Sequence, residues 1–188
     1  ATNVIVPEFH FIAPNGNAVT FTWTYSAVGA GSVSFSAFAQ GSNFYSAAAV
    51  SSNAASSGSV VIQSPAQLVV TSLSAVPSTV GTGSEITVTL NVQNTGEAAA
   101  SNISGPAYLS VNDGGTGLVV TSTAGTPVSV ASLAGGASTQ FVYRFEALLG
   151  GNLNFSAAAL GLDANTGDTL TANTAGSNAV TINNRGSL

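Results

Sequence analysis

The sequence predicts an all-β protein, an antiparallel sandwich of short strands, and three observations lead there. Apolar and polar residues alternate with period two, turn residues punctuate the chain at short intervals, and no window sustains a capped helical period. Gln67–Leu73 reads as a first strand ending before the Val76-Pro77 break. Glu85 to Gln93 alternates cleanly, with Ile86, Val88, Leu90 and Val92 on one face, until Asn94-Thr95-Gly96 breaks it with turn chemistry. Asn112-Asp113-Gly114-Gly115 has the Asp-Gly signature of a hairpin connection, and Gly135-Gly136 and Gly150-Gly151 read as loop positions. Phe141, Tyr143 and Phe145 share one face of a later strand, as do Leu153, Phe155, Ala157 and Ala159 in the next and Val180 and Ile182 in the last. Ala47–Ala49 and Glu97–Ala100 are the best helix formers, but short and flanked by Ser, Asn and Gly, so they read as loops or edge strands. The total is about seven or eight strands, the number of an antiparallel sandwich.

The chain also repeats itself. A shift of 120 positions lays residues 1–68 on residues 121–188 without a gap. Phe21, Trp23 and Tyr25 fall on Phe141, Tyr143 and Phe145; Gly31, Val33, Phe35 and Ala37 fall on Gly151, Leu153, Phe155 and Ala157. Gly41 meets Gly161, Asn53 meets Asn173, Ser57 meets Ser177, Val60 meets Val180, Ile62 meets Ile182, and Pro7 meets Pro127. Two divisions are expected from this arithmetic. Residues 66–188 form a complete repeat, and residues 1–65 are the second half of another, to be completed by upstream sequence or by a neighbouring subunit. The absence of methionine adds the expectation of a processed, truncated or partial chain.

Composition narrows the function classes. The apolar fraction of 45% supports a packed core, while the charged fraction is 5%, against roughly 25% in an average soluble domain. Lysine is absent and Arg144 and Arg185 are the only basic residues besides His10, too few to neutralise a nucleic-acid backbone or to form a polybasic membrane patch. No apolar run is long enough for a membrane-spanning helix. Ser, Thr, Asn, Gly and Ala stand where charges usually stand, and a surface so nearly neutral favours self-association. With no cysteine, disulfides and thiolate metal sites are impossible.

Ser78 to Ala100, with its alternating Glu85–Gln93 strand, the Asn94-Thr95-Gly96 turn and a small-residue loop, resembles the opening of bacterial CARDB-type repeats, which carry a proline-containing lead. Ala134-Gly-Gly-Ala-Ser-Thr-Gln-Phe141 resembles the turn and penultimate strand of the same repeats. The resemblance covers the complete unit and, through the internal repeat, the half unit. It implies immunoglobulin-like modules of large secreted or cell-surface proteins, set in tandem arrays, serving adhesion or spacing and sharing no catalytic site.

The residues themselves offer little chemistry. His10 is the sole histidine, its repeat counterpart is Val130, and Glu8 is the acid near it, so it reads as a strand residue at a surface or interface. No Gly-x-Ser-x-Gly elbow occurs, and the seven acids are scattered. Asp163, Asn165 and Asp168 have the oxygen-rich spacing of a calcium loop without its terminal bidentate glutamate, and the other copy carries Asn43, Tyr45 and Ala48 there; a polar turn is the favoured reading. Asn102 and Asn154 match the glycosylation acceptor pattern, and Asn154 is expected to face outward opposite Phe155. Phe44, Tyr45 and Tyr108 lie outside the core alternation and are the candidates for glycan contact.

The expected function is structural: a component of an extracellular filament, array or surface appendage, self-associating, without enzymatic activity or cofactor. The alternative is a carbohydrate- or protein-binding accessory module of a secreted protein. The residues expected at the junction between subunits are Phe21, Trp23, Tyr25, Val33, Phe35, Val60 and Ile62. The sequence therefore predicts a thermal melt that a chelator leaves unchanged; a melting temperature that climbs with added calcium would contradict it and return Asp163 to the role of ligand.

Overall fold

The computed structural model describes residues 10–12 and 18–184. Pro7, Glu8 and Arg185 lie outside the described residues. Contacts divide the chain into two units, Ala1–Gln63 and Ser64–Leu188.

The described elements of the first unit are six short strands: β1 (Gly31–Val33), β2 (Ser36–Ala37), β3 (Gln40–Ser42), β4 (Ala49–Ser51), β5 (Ala55–Ser56) and β6 (Val60–Ile62). They nest as one long interrupted hairpin, β1 on β6, β2 on β5 and β3 on β4, all antiparallel.

The second unit carries β7 (Leu68–Val76), β8 (Thr79–Gly81), β9 (Glu85–Asn94), β10 (Ala100–Ser104), β11 (Ser110–Asn112), β12 (Val119–Thr126) and β13 (Val130–Leu133). These are followed by β14 (Ser138–Ala147), β15 (Gly151–Ala157), β16 (Leu160–Asp163), β17 (Thr169–Thr171), β18 (Ala175–Gly176) and β19 (Val180–Asn183). One layer is the antiparallel sheet β12-β14-β9-β7. The other contains β11-β15-β19-β8 and β13-β10-β16-β17. Because β16 resumes where β15 stops, after Ala158 and Ala159, these are two ends of one bent layer. Among the described residues thirteen segments thus replace the seven or eight strands expected from sequence. The difference lies in interruptions of the last long hairpin, where small residues such as Ala158 and Ala159 leave the ladder, and in the division of the opening strand.

That division has a simple cause. Proline has no N–H to donate, so the β7 ladder cannot run on through Pro77. After this break the chain changes layers: β7 pairs antiparallel with β9, while β8 pairs parallel with β19. One continuous stretch thereby seals both sheets. Together the two layers make an immunoglobulin-like sandwich.

The expected core is the observed one. Ile86, Val88, Leu90, Phe141, Tyr143, Phe145, Leu153, Phe155 and Ile182 are all buried. The layers meet where the rings of Phe145 and Phe155 approach to 4.5 Å between centroids, a tilted aromatic contact. The Tyr143 hydroxyl donates to the Pro106 carbonyl at 2.9 Å, and burial pushes its pKa up to about 12. Arg144 pairs with Glu85 across the β14–β9 ladder, but both side chains are about half exposed, so the pair adds little stability. Replacing Phe155 with alanine should destabilise the second unit by roughly 3–5 kcal/mol in denaturant titration; a loss below about 1 kcal/mol would contradict its central place.

Candidate functional site

Among the described residues of the second unit two polar side chains are buried, Asn94 and Asp163, and both grip the incoming strand. Asn94 Oδ1 accepts from Gln67 N at 3.0 Å and Gly96 N at 3.1 Å, while Nδ2 donates to the carbonyls of Ala98 at 2.8 Å and Leu133 at 3.1 Å. All four hydrogen-bonding positions of the amide are used. Asp163 Oδ2 accepts from Ala66 N at 2.7 Å, and its Oδ1 accepts from Asn165 N at 2.8 Å and Thr166 N at 3.0 Å. Consecutive N–H groups, Ala66 and Gln67, are therefore held by consecutive clamps. The clamp needs Gly96, whose missing Cβ leaves the space that the Pro65 carbonyl occupies.

These bonds reassign two sequence readings. Asn94 is more than a turn residue. It shares the parity of Ile86, Val88, Leu90 and Val92, so strand alternation already pointed it inward. Asp163 shares the parity of Phe155, Ala157, Ala159 and Gly161, and the same signal marks it as buried. Its carboxylate oxygens face backbone donors, while Asp168 is exposed and accepts from the Thr166 hydroxyl at 2.7 Å. Among the described residues no group of three or more His, Cys, Asp or Glu side chains is placed to share a metal ion. The Ala66 N–H first, then those of Thr166 and Asn165, hold the Asp163 carboxyl below the ordinary carboxylate range.

Two further amides bracket β7. Asn173 Oδ1 accepts from Val70 N at 2.9 Å and its Nδ2 donates to Val70 O at 3.4 Å. Asn178 does the same to Ala75, at 2.9 and 3.0 Å. Each side chain imitates a neighbouring strand where the interrupted β17–β19 run offers β7 no ladder.

The first unit reproduces the strand pairing of the closing half of this arrangement. Gly31 pairs with Ile62, Ser36 with Ser56 and Gly41 with Val50, as Gly151 pairs with Ile182, Ser156 with Gly176 and Gly161 with Leu170. Phe35 N donates to Ser57 Oγ at 2.9 Å, as Phe155 N does to Ser177 Oγ at 2.9 Å. Asn43 Oδ1 closes the β3–β4 turn by accepting from Tyr45 N and Ser46 N, each at 3.0 Å, just as Asp163 Oδ1 closes the equivalent turn. The Tyr25 and Phe35 rings lie 4.7 Å apart, matching Phe145 and Phe155.

What differs is the covering. Phe21, Trp23 and Tyr25 are 41%, 46% and 53% exposed, where Phe141, Tyr143 and Phe145 are at most 1% exposed. Val60 is exposed, and Val33, Phe35 and Ile62 are half-buried; none of the described residues of the first unit is buried. Phe21 to Tyr25 belong to no strand, whereas their counterparts lie in β14 between β12 and β9. A strand needs a ladder partner, and the residues that supply it to β14 lie in the opening half of the second unit.

The aromatic candidates for sugar contact are dispersed. Phe44 and Tyr45 are exposed and meet edge to face at 5.3 Å, which gives no flat platform. Tyr108 is exposed in the second unit, beside a groove of about 350 Å³ that it lines with Pro106, Ser156 and Leu160. Asn154 is exposed as expected, and its Oδ1 accepts from Asn112 Nδ2 at 2.8 Å. Asn102 has a left-handed backbone, φ 51°. The His10 ring meets Phe21 edge-on at 5.7 Å.

The CARDB family model matches residues 65–159. No curated protein sequence matches the chain. Among solved structures, native α2-macroglobulin of Escherichia coli, from domain MG7 to its C-terminus, is similar at 19% identity with a TM-score of 0.47, over 63% of this chain and 17% of that one. This chain therefore spans about a sixth of that structure's length. The CARDB domain of a Pyrococcus furiosus protein, in complex with di-metal ions, is similar at 15% identity and a TM-score of 0.41, over 65% and 97%. Domains 4 and 5 of the S-layer protein SbsC follow at 10% and 0.33, over 69% and 52%.

Asn94→Ala should destabilise the second unit by at least about 2 kcal/mol, because it strands buried backbone groups; an unchanged denaturation midpoint would contradict the clamp. Asp163 carries a pH signature. Its folded pKa is depressed, so its stabilising effect is present above the unfolded value of about 3.9 and lost as pH falls through the folded pKa. Asp163→Asn turns a donor toward Ala66 N. It should melt lower than the native chain at pH 7 and lose less stability on acidification; parallel acid profiles would contradict this.

Proposed function

The chain belongs to the CARDB family, and from that premise we propose that it is a structural piece of an extracellular or cell-surface array, built of tandem immunoglobulin-like repeats and without catalytic activity. The observation that carries this reading is the 120-residue period, repeated in the strand pairing and side-chain hydrogen bonds of the two closing halves. Between the copies the fold-forming positions persist. The candidates for chemistry do not: Asp163 and Asp168 become Asn43 and Ala48, and Tyr45 faces Asn165. Selection on a repeated ligand site would keep the ligand residues; selection on length and packing keeps glycines and aromatics. The nearly uncharged surface supports the same reading, since copies of the repeat meet with little repulsion. Its partners are then other repeats of the same kind.

A second reading, a carbohydrate- or protein-binding accessory module, has one feature in its favour, the groove beside Tyr108. It predicts saturable glycan binding that Tyr108→Ala abolishes, whereas the structural reading predicts none on a glycan array.

The structural reading is tested on the native source. Antibodies against residues 64–188 should label intact, unpermeabilised cells, and immunogold electron microscopy should place the label along an extended surface layer or fibre. Label that appears only after permeabilisation would contradict it.

A further inference from the structure

We propose that the second unit is a tension-bearing link, in which a pull along the chain is resisted in shear by a parallel seam between residues 70–82 and residues 173–183. This deepens the structural role by naming what the repeat does within an array, and it rests on that reading.

The seam is longer than its strand pairing. Between β8 and β19 the backbone ladder is parallel over three residue pairs, Thr79 to Gly81 against Thr181 to Asn183. Backbone bonds at its two ends run from Thr181 N to Ser78 O at 2.9 Å and from Thr82 N to Asn183 O at 3.1 Å. Side-chain amides continue it upstream. Asn173 brackets the N–H and C=O of Val70, and Asn178 those of Ala75, each across a separation of 103 residues. The bond from Thr181 to Ser78 keeps the same offset. The two segments therefore run in one direction and in step from Val70 to Thr82. Because β7 belongs to one layer and β19 to the other, the seam also ties the layers together.

Direction decides how such bonds meet force. Tension enters this unit at Ser64 and leaves past Asn183, so it reaches the start of one segment and the end of the other. In a parallel pair those two points lie at opposite ends, and the pull slides the segments past each other with the bonds loaded together. In an antiparallel pair they would lie side by side, and the bonds would open one at a time. The point of entry is anchored as well. Ser64 N donates to Glu97 Oε2 at 2.8 Å, and Ser64 O accepts from Ala98 N at 3.0 Å. Ala66 N and Gln67 N end on the buried Asp163 and Asn94. A pull from the preceding residues is met first by these clamps and then by the seam.

The chain has no cysteine, so thiol handles can be placed at chosen positions. In a single-molecule pulling experiment the full 188-residue chain is tethered through its two ends. Unfolding under force reads the unfolding rate rather than equilibrium stability. The event of the second unit is recognised by the length it releases, roughly 3.5 Å per residue. The comparison is the same chain held through Glu85→Cys and Leu148→Cys, exposed positions at one end of the antiparallel β9–β14 ladder, where a pull opens the ladder from that end. At one loading rate, the end-to-end unfolding force is expected to be several-fold the lateral one. Asn173→Ala combined with Asn178→Ala, both at exposed positions, should lower the end-to-end force and leave the lateral force unchanged. Equal forces in the two directions, or a double substitution that lowers both equally or neither, would overturn the proposal. Each of these results leaves surface labelling of cells untouched, so the link and the structural role fail separately.

Discussion

The backbone N–H groups of Ala66 and Gln67 end on two side chains buried in the sandwich, the carboxylate of Asp163 and the amide of Asn94. Each of these side chains also ties the loop that follows its own strand, Asn94 through Gly96 and Asp163 through Asn165 and Thr166. The arrangement fixes where the opening strand begins, and with it the β7–β9 register on which the sheet is laid. A buried amide or carboxylate left without partners is costly, so the clamp works in both directions. It stabilises the seated strand and penalises an empty seat. Among the described residues no buried side-chain nitrogen or oxygen lacks a partner.

The two closing halves show what that seating accomplishes. Local hydrogen bonding is nearly the same in both: the same nested pairs, the same serine accepting from the same phenylalanine amide, the same turn closed by an Asn or Asp side chain. The aromatic exposure differs completely. A hairpin of this kind is thus specified by its own turns and hydroxyls, while burial of its apolar face comes from the opening strands. Isolated two-stranded hairpins are marginal in water for this reason.

Much of this was legible from residues. Period-two alternation marks the core of β9, β14 and β15 because each strand has one face turned to the opposite layer. The repeat follows from aromatics and glycines held in step over 68 positions. The division of the opening strand was half visible in Val76-Pro77; the parallel pairing of β8 with β19 was not, since nothing local encodes a partner a hundred residues away. The clamp was misread for a related reason. Asn94-Thr95-Gly96 and Asp163-Ala164-Asn165 are good turn sequences, and both do form turns, yet the donors that decide their role sit on Ala66 and Gln67. Parity along the strand was the clue that both side chains point inward.

Native-state amide hydrogen exchange on the full chain tests the central claim most directly. If Asn94 and Asp163 seat the opening strand, the amides of Ala66 and Gln67 exchange only with global unfolding of the second unit, as slowly as those of β9 and β14. Exchange of these two amides by local fraying, while β9 and β14 stay protected, would contradict the account.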